Sequence, residues 1–211
     1  MKASRADQKH ERREAMLATA SVLFARHGYA ATTMTQVAAA AGFGIATVYK
    51  YFRSKEGVVC GLLRPDLEKV LAAGDRVLAD APADPARAVL ALLSGYGELG
   101  GHEWSRRELL RMTIFKGLGN SGELGALIDE AEARVQGQLR QLLAILRRQG
   151  RLARGIDLGD ASGLIFAIFN QHFGTYSATE DASYQHTQKL LERHIVLLFK
   201  NWRVGRRNSE S

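Results

Sequence analysis

The sequence predicts an all-α protein, on three observations. All three prolines, Pro65, Pro82 and Pro85, fall in one stretch of the 211-residue chain, so most of it is free of helix breakers. No run of β-branched or aromatic residues alternates with period two. Ala, Leu, Arg, Glu and Gln dominate, and these residues lose little side-chain freedom in a helix.

The first helix is predicted from about residue 9 to residue 27. Met16, Ala20, Leu23 and Phe24 recur at the spacing of one buried stripe, and Gly28 stands at the C′ position, where a left-handed residue ends a helix. Thr33-Met34-Thr35-Gln36 reads as a capping box opening a short helix, which Gly42-Phe43-Gly44 interrupts after Ala41. A third short helix covers residues 45–52. Ser54 then caps a helix from Lys55 to about Ala79, with Glu56 in its first turn and Pro65 as a kink or broken turn.

After the connector at 80–83, Asp84 caps the next helix with Pro85 at N1, and that helix ends near 97–101. Further helices are expected over 103–117 and 123–148. The latter carries Leu124, Leu127, Ala131, Val135, Leu139, Leu142 and Leu146 at intervals of three or four. A loop at 150–155 precedes Asp157, which caps an apolar helix to about Tyr176, and residues 184–203 form the last helix. Residues 205–211 read as a disordered tail.

Composition narrows the function. A single cysteine, Cys60, cannot form an intramolecular disulfide, so a reducing cytoplasm is the expected compartment. No stretch of about 18 apolar residues offers a membrane span, and no apolar run follows the basic N-terminus as a signal peptide would require. Residues 1–55 hold nine Lys and Arg against three acids, whereas the other 156 residues hold 20 against 19. A basic module of this kind fits a polyanion partner or a merely solvated basic face, and charge alone leaves both open. Residues 1–11, with Lys2, Arg5 and Lys9, read either as a minor-groove arm or as a frayed terminus.

Two short helices around a glycine turn, braced by a longer one, form a helix-turn-helix. Ala38 is small where the helices cross, Gly42 makes the turn, and the second short helix can project into a major groove. Similar αα-corners occur in enzymes, but the chain has no Gly-x-Ser-x-Gly, phosphate loop, carboxylate cluster or Cys–His pair at a suggestive spacing, so no enzyme is expected.

Residues 12–58 resemble the DNA-binding domain of the tetracycline-repressor (TetR) family. The resemblance runs through Leu23-Phe24-Ala25-Arg26-His27-Gly28-Tyr29, the paired Thr32-Thr33, the Gly42 turn, Thr47-Val48-Tyr49-Lys50-Tyr51-Phe52 and Ser54-Lys55-Glu56. It implies a homodimer whose recognition helices enter successive major grooves of a near-palindromic double-stranded operator. By the same resemblance Thr33, Tyr49 and Lys55 would hold phosphates. Tyr49 is expected outward, Tyr51 inward beside Val48, and Phe52 in the core. Many relatives carry Gly-Val-Ser-x-Gly-Thr where this chain has Gly42-Phe43-Gly44-Ile45-Ala46-Thr47, so Gly44 can cap but offers no hydroxyl. The reading face is then Gly44, Ile45, Ala46, Thr47 and Lys50. Without Arg, Asn or Gln for bidentate contacts, it implies specificity from thymine methyls and DNA shape.

The resemblance divides the chain into a DNA-binding domain at 1–54, a ligand-binding and dimerisation domain at 55–204 and the tail. In such proteins the last two helices pair with their mates in a four-helix bundle. Leu164, Ile168, Phe169, His172 and Phe173, with Gly163 and Gly174, would do so from the penultimate helix. Leu190, Leu191, His194, Ile195, Leu198 and Trp202 would do so from the last. Tyr96, His102, Trp104, Arg111, Met112, Phe115, Asn170 and Tyr176 are candidates to line a pocket for an unidentified small-molecule effector, with Arg111 for an anionic group. His102, His172, His186 and His194 lack a ligand spacing with carboxylates or Cys60, so neither metal nor cofactor is expected. The function expected is a repressor released from its operator by that effector. The alternative is an architectural or cell-cycle DNA-binding protein of the same fold without one.

Overall fold

The computed structural model describes residues 4–97, 122–178 and 183–202, and among these it forms eight helices and no strand. They are α1 (Arg5–Ala31), α2 (Met34–Ala41), α3 (Ile45–Phe52), α4 (Lys55–Ala79), α5 (Pro85–Gly97), α6 (Glu123–Arg148), α7 (Leu158–Ala178) and α8 (Tyr184–Trp202). The helix expected over 103–117 and the tail at 205–211 lie outside the described residues.

The described residues fall into two compact units. One comprises 4–66 with 122–128, the other 67–97 with 129–178 and 183–202. The division passes inside α4, one residue beyond Pro65, whereas the sequence expectation set the boundary where α4 begins. α4 runs through Pro65 as a single helix.

In the first unit α1 begins earlier than its apolar stripe suggests. Ser4 accepts a hydrogen bond from the Asp7 N–H (3.1 Å), and Asp7 accepts one from the Ser4 N–H (2.9 Å). This reciprocal cap makes Arg5 and Lys9 helical, so neither belongs to an extended arm or a frayed end. Lys2 lies outside the described residues. Gly28 takes φ 78° and ψ 159°, a mirror-extended conformation open essentially to glycine alone, where left-handed helical backbone was expected. One further turn, to Ala31, follows it. Thr32, buried, donates its hydroxyl to the Gly28 carbonyl at 2.9 Å and fixes that turn.

In the second unit α7 packs on α8, and α5 packs on α8. Asp84 caps α5 through the Arg87 N–H, and Asp157 caps α7 through the Asp160 N–H. α6 buries Val135, Leu139, Leu142 and Leu146 as its periodicity predicts, with Leu143 besides, and it ends at left-handed Gly150. The Arg151 N–H reaches the Leu146 carbonyl and the Gly150 N–H the Arg147 carbonyl, a Schellman closure. The buried amide of Gln138 donates to the Leu71 carbonyl (2.8 Å) and to Asp75 (2.7 Å), tying α6 to α4 against the bare Cα of Gly74.

Candidate nucleic-acid interface

The helix-turn-helix is built from local signals that agree. Thr33 accepts from the Gln36 N–H at 3.2 Å, while the Gln36 side chain accepts from the Thr33 N–H at 2.8 Å, so the capping box forms as the sequence predicts. α2 closes on left-handed Gly42, with the Phe43 N–H bonded to the Ala38 carbonyl and the Gly42 N–H to that of Ala39. α1 packs on α2 and α2 on α3, burying Met16, Phe24, Val37, Ala38, Val48 and Phe52. Burial at Val48 and Phe52 sets the rotation of α3 and leaves its other face in water.

That face and the first turn of α3 together carry the residues singled out from sequence. Gly44, Ile45, Ala46, Tyr49 and Lys50 are exposed, Ile45 by 39% and Tyr49 by 47%, and Thr47 is half-buried. Large apolar groups left in water at this level are uncommon on a helix and mark a contact surface when clustered. Gly44 caps α3 with extended backbone and no side-chain hydrogen bond. A Cβ there would meet only Thr47 Oγ1, at 3.9 Å, so serine would fit. Tyr51 is half-buried with its ring 6.2 Å from that of Phe52, the inward orientation expected of it.

Lys55 is placed differently from Lys50. Its ammonium donates to the carbonyls of Tyr29 (2.8 Å), Thr32 (2.9 Å) and Ala30 (3.3 Å) and stands 4.2 Å from the centre of the Tyr29 ring. Three donors meet three acceptors, so a phosphate could be bound only by giving up one of these bonds. Lys55 is thus a cross-brace from the start of α4 to the end of α1, where helix carbonyls lack partners. Partial burial lowers its pKa.

Sequence reasoning missed Arg53. It has φ 59° and ψ −38°, the positive φ unique to it among the described non-glycine residues, and the Ser54 N–H closes on the Phe52 carbonyl across it at 2.6 Å. Its side chain is exposed and, like that of Lys50, makes no hydrogen bond or ion pair among the described residues. No short-range signal announces this corner, because arginine is a poor choice for such a backbone. Gly57 completes it: a Cβ there would run into the Phe52 carbonyl oxygen.

Residues 16–60 match the profile of the family described as bacterial regulatory proteins, tetR family. That match covers the helix-turn-helix and its supporting helix, which are similar to the DNA-binding domain of this family. A curated relative, the HTH-type transcriptional regulator EthR of Mycolicibacterium smegmatis, is 35% identical over 79 residues, which are 37% of this chain and 36% of that protein. The match therefore spans about a third of the relative's length. Among solved structures, the fatty acid degradation regulator FadR of Bacillus halodurans superposes with a TM-score of 0.69 at 20% identity, over 94% of this chain and 97% of its own. FadR of Thermus thermophilus, a TetR-family repressor in complex with lauroyl-CoA, gives 0.68 at 20% identity, over 94% and 99%. At such identities these two likenesses speak for the fold alone.

The effector-pocket candidates fare less evenly. His102, Trp104, Arg111, Met112 and Phe115 lie outside the described residues, as does the side chain of Tyr96. On α7, Asn170 is exposed, and Tyr176 is half-buried with its ring edge-on to Tyr184 at 5.6 Å. Six residues apart, the two point about 120° away from each other around the helix. Among the described residues no helix is long and apolar enough to cross a membrane.

Proposed function

We propose that this protein is a homodimeric transcriptional repressor of the TetR family that holds a near-palindromic operator through α3 and releases it when a small molecule binds the body. The observation that carries the DNA-binding part is the exposed surface of α3: Ile45, Ala46 and Tyr49 beside Lys50 and Arg53, two bases without a partner among the described residues. A protein surface mixing apolar groups with cations suits the major groove, where thymine methyls alternate with acceptor edges. Thr33 and Tyr49 hold phosphates, Ile45, Ala46 and Thr47 read methyls, and Lys50 supplies the long donor. Lys55 positions this face by bracing α1 against α4, and takes a phosphate only in exchange for a carbonyl.

The dimer is formed by α7 and α8, which leave Leu164, Val196 and Leu197 in water at 47%, 37% and 58% exposure. Phe169, Phe173, Leu191 and Ile195, which the sequence assigned to the dimer seam, are instead buried within the chain and serve its own core, whereas Val196 and Leu197 were not among the residues it named. Among the described residues a Cβ added at Gly163 meets nothing within 4 Å, so none of them requires a glycine there, and close approach of a second copy would. Acyl-CoA thioesters are the first effectors to try, because a solved protein of this fold holds one. Effector control requires that the ligand favour the DNA-incompetent arrangement.

The experiment is selection of duplexes from a random library, followed by affinity measurements across salt. Binding should weaken with salt at a log–log slope of about −0.9 per phosphate neutralised, and Lys50→Ala should lower that slope by about one and shift the selected sequence. A salt-independent complex, or a library that yields no consensus, would refute the reading. An effector must move both the melting temperature and the operator affinity; if no compound does so, the repressor acts without one.

A further inference from the structure

Two imidazoles from different helices meet on the C-terminal unit. His172 Nε2 on α7 and His194 Nδ1 on α8 share a hydrogen bond of 2.9 Å, with ring centroids 4.9 Å apart. Within one chain His194 is exposed and His172 half-buried. Their neighbours a turn or two away on the same sides are apolar: Leu164 and Ile168 on α7, Leu190, Leu197 and Leu198 on α8. Exposed Leu164 and Leu197 belong to the stripe assigned above to the dimer, so the pair lies on the face that a second copy covers.

No carboxylate of the described helices that pack here is placed to offset a charge on the pair. α7 carries no Asp, Glu, Lys or Arg after Asp160, which is about three turns before His172. On α8 the exposed Lys189, Glu192, Arg193 and Lys200 are turned about 100° or more around the helix from His194. Arg193, a turn before Leu197, is a cation and cannot compensate a positive ring. His186, also exposed, is turned about 80° from His194 and stands about two turns away. Tyr176 and Tyr184 pack on one another, ring centroids 5.6 Å apart. Arg87 is the sole charged residue of α5, which packs on α8, and its side chain is exposed. A two-fold interface brings the same face from the other copy, so that copy supplies no carboxylate either.

We propose that this pair makes the dimer proton-sensitive: two copies associate with both pairs neutral, and the dimer comes apart as the pairs take up protons. The inference rests on the reading that α7 and α8 form the dimer. A neutral pair shares one N–H between its rings and brings no charge into an apolar seam. One added proton leaves that bond intact but places an uncompensated positive charge there, and the pair of the other copy does the same. A second proton turns the acceptor nitrogen into a donor and breaks the bond. Burial, and then His194, already hold the His172 pKa below the usual imidazole value within one chain, and cover by a second copy acts in the same direction. A base that holds its proton less tightly in the dimer than in the free chain supports association above the imidazole range, and that support is lost as pH falls through it. With one proton per pair and two pairs, the association constant falls by up to about 100-fold per pH unit. Acid thereby separates the two heads that hold the operator.

The test is sedimentation equilibrium of the untagged full chain from about pH 8 to about pH 5.5 at fixed ionic strength, with circular dichroism at each pH to follow the fold. The expected result is a dimer whose dissociation constant is flat above about pH 7.5 and rises in acid, by up to about 100-fold per pH unit, while helicity holds. The double variant His172→Gln, His194→Gln takes up no proton at these positions and should dimerise equally across the range. His186→Gln, exposed on the same α8, should respond to acid as the parent does. Calorimetry of dilution at about pH 6, in two buffers of different ionisation enthalpy, should show the parent taking up protons as it dissociates. A dimer equally tight at both ends of the range overturns the inference and leaves the dimer standing. So does an acid response kept by the double variant or lost in His186→Gln. If the double variant fails to dimerise, the calorimetry decides, and dissociation of the parent without proton uptake overturns the inference. A chain that is monomeric even at about pH 8 overturns the dimer reading and the inference with it.

Discussion

The helix pairs α2–α3 and α7–α8 both leave large apolar side chains in water, and the company those side chains keep differs. On α3, Ile45 and Tyr49 stand with Lys50 and Arg53, and the first 55 residues carry nearly all the excess positive charge of the chain. On α7 and α8, Leu164, Val196 and Leu197 stand in a region whose bases and acids nearly cancel. An apolar patch says only that something covers it. Its charge says what kind of thing: cations beside exposed apolar groups call for a polyanion, and a near-neutral apolar stripe calls for another apolar stripe.

The sharpest way to break the comparison is to put a charge on each side. Leu197→Glu should abolish the dimer, since each copy would bury an unpaired carboxylate at a cost of about 3–5 kcal/mol, while the fold of the chain changes little because the site is exposed. Sedimentation equilibrium reads the first effect and thermal unfolding the second. A Leu197→Glu chain that remains a dimer would show that α8 is not the interface.

The converse test removes the support of α3 and leaves α7–α8 alone. Gly57→Ala drives a methyl into the Phe52 carbonyl and should destabilise the first unit by about 2–3 kcal/mol, measured by urea unfolding. DNA affinity should then fall and the dimer persist. Loss of both together would mean that the two surfaces do not act separately.

The smallest expected effect is the most specific. Arg53→Gly relieves a positive φ and should stabilise the protein by roughly 0.5–1 kcal/mol after the entropy cost of glycine. If the strained corner is kept for its cation, operator affinity and salt slope should drop in the same variant. Higher stability with unchanged DNA binding would make Arg53 an incidental strain.

Much of the fold was legible because its signals are local. The Thr33–Gln36 box, the Gly42 turn, the Asp84-Pro85 and Asp157 helix starts and the α6 stripe each depend on residues within a turn or two of one another. The start of α1 was missed because Ser4 and Asp7 cap it ahead of any apolar periodicity. Part of the α3 face was legible for the same reason as the fold, since a helix with Val48 and Phe52 inward turns Ala46 and Lys50 outward, whereas Ile45 shares the face of Val48 and Phe52 and is exposed where it opens the helix.

Contacts between distant residues were not legible. Sequence placed Lys50 on the reading face and Lys55 at a phosphate, yet only tertiary packing brings the end of α1 within reach of Lys55 and leaves Lys50 without a partner among the described residues. It gave α7 and α8 a surplus of apolar residues without dividing them, and the packing of one helix on the other sorted Phe169 and Leu191 into the core and Leu164 and Leu197 into water. His172 and His194 were unrelated letters until that packing set them 2.9 Å apart. By itself the sequence determined where helices begin and turn, because caps, glycines and periodicity act over a few residues. Which charges are spent, which apolar groups remain and which histidines meet was decided by tertiary structure, because each depends on groups that only a folded chain brings together.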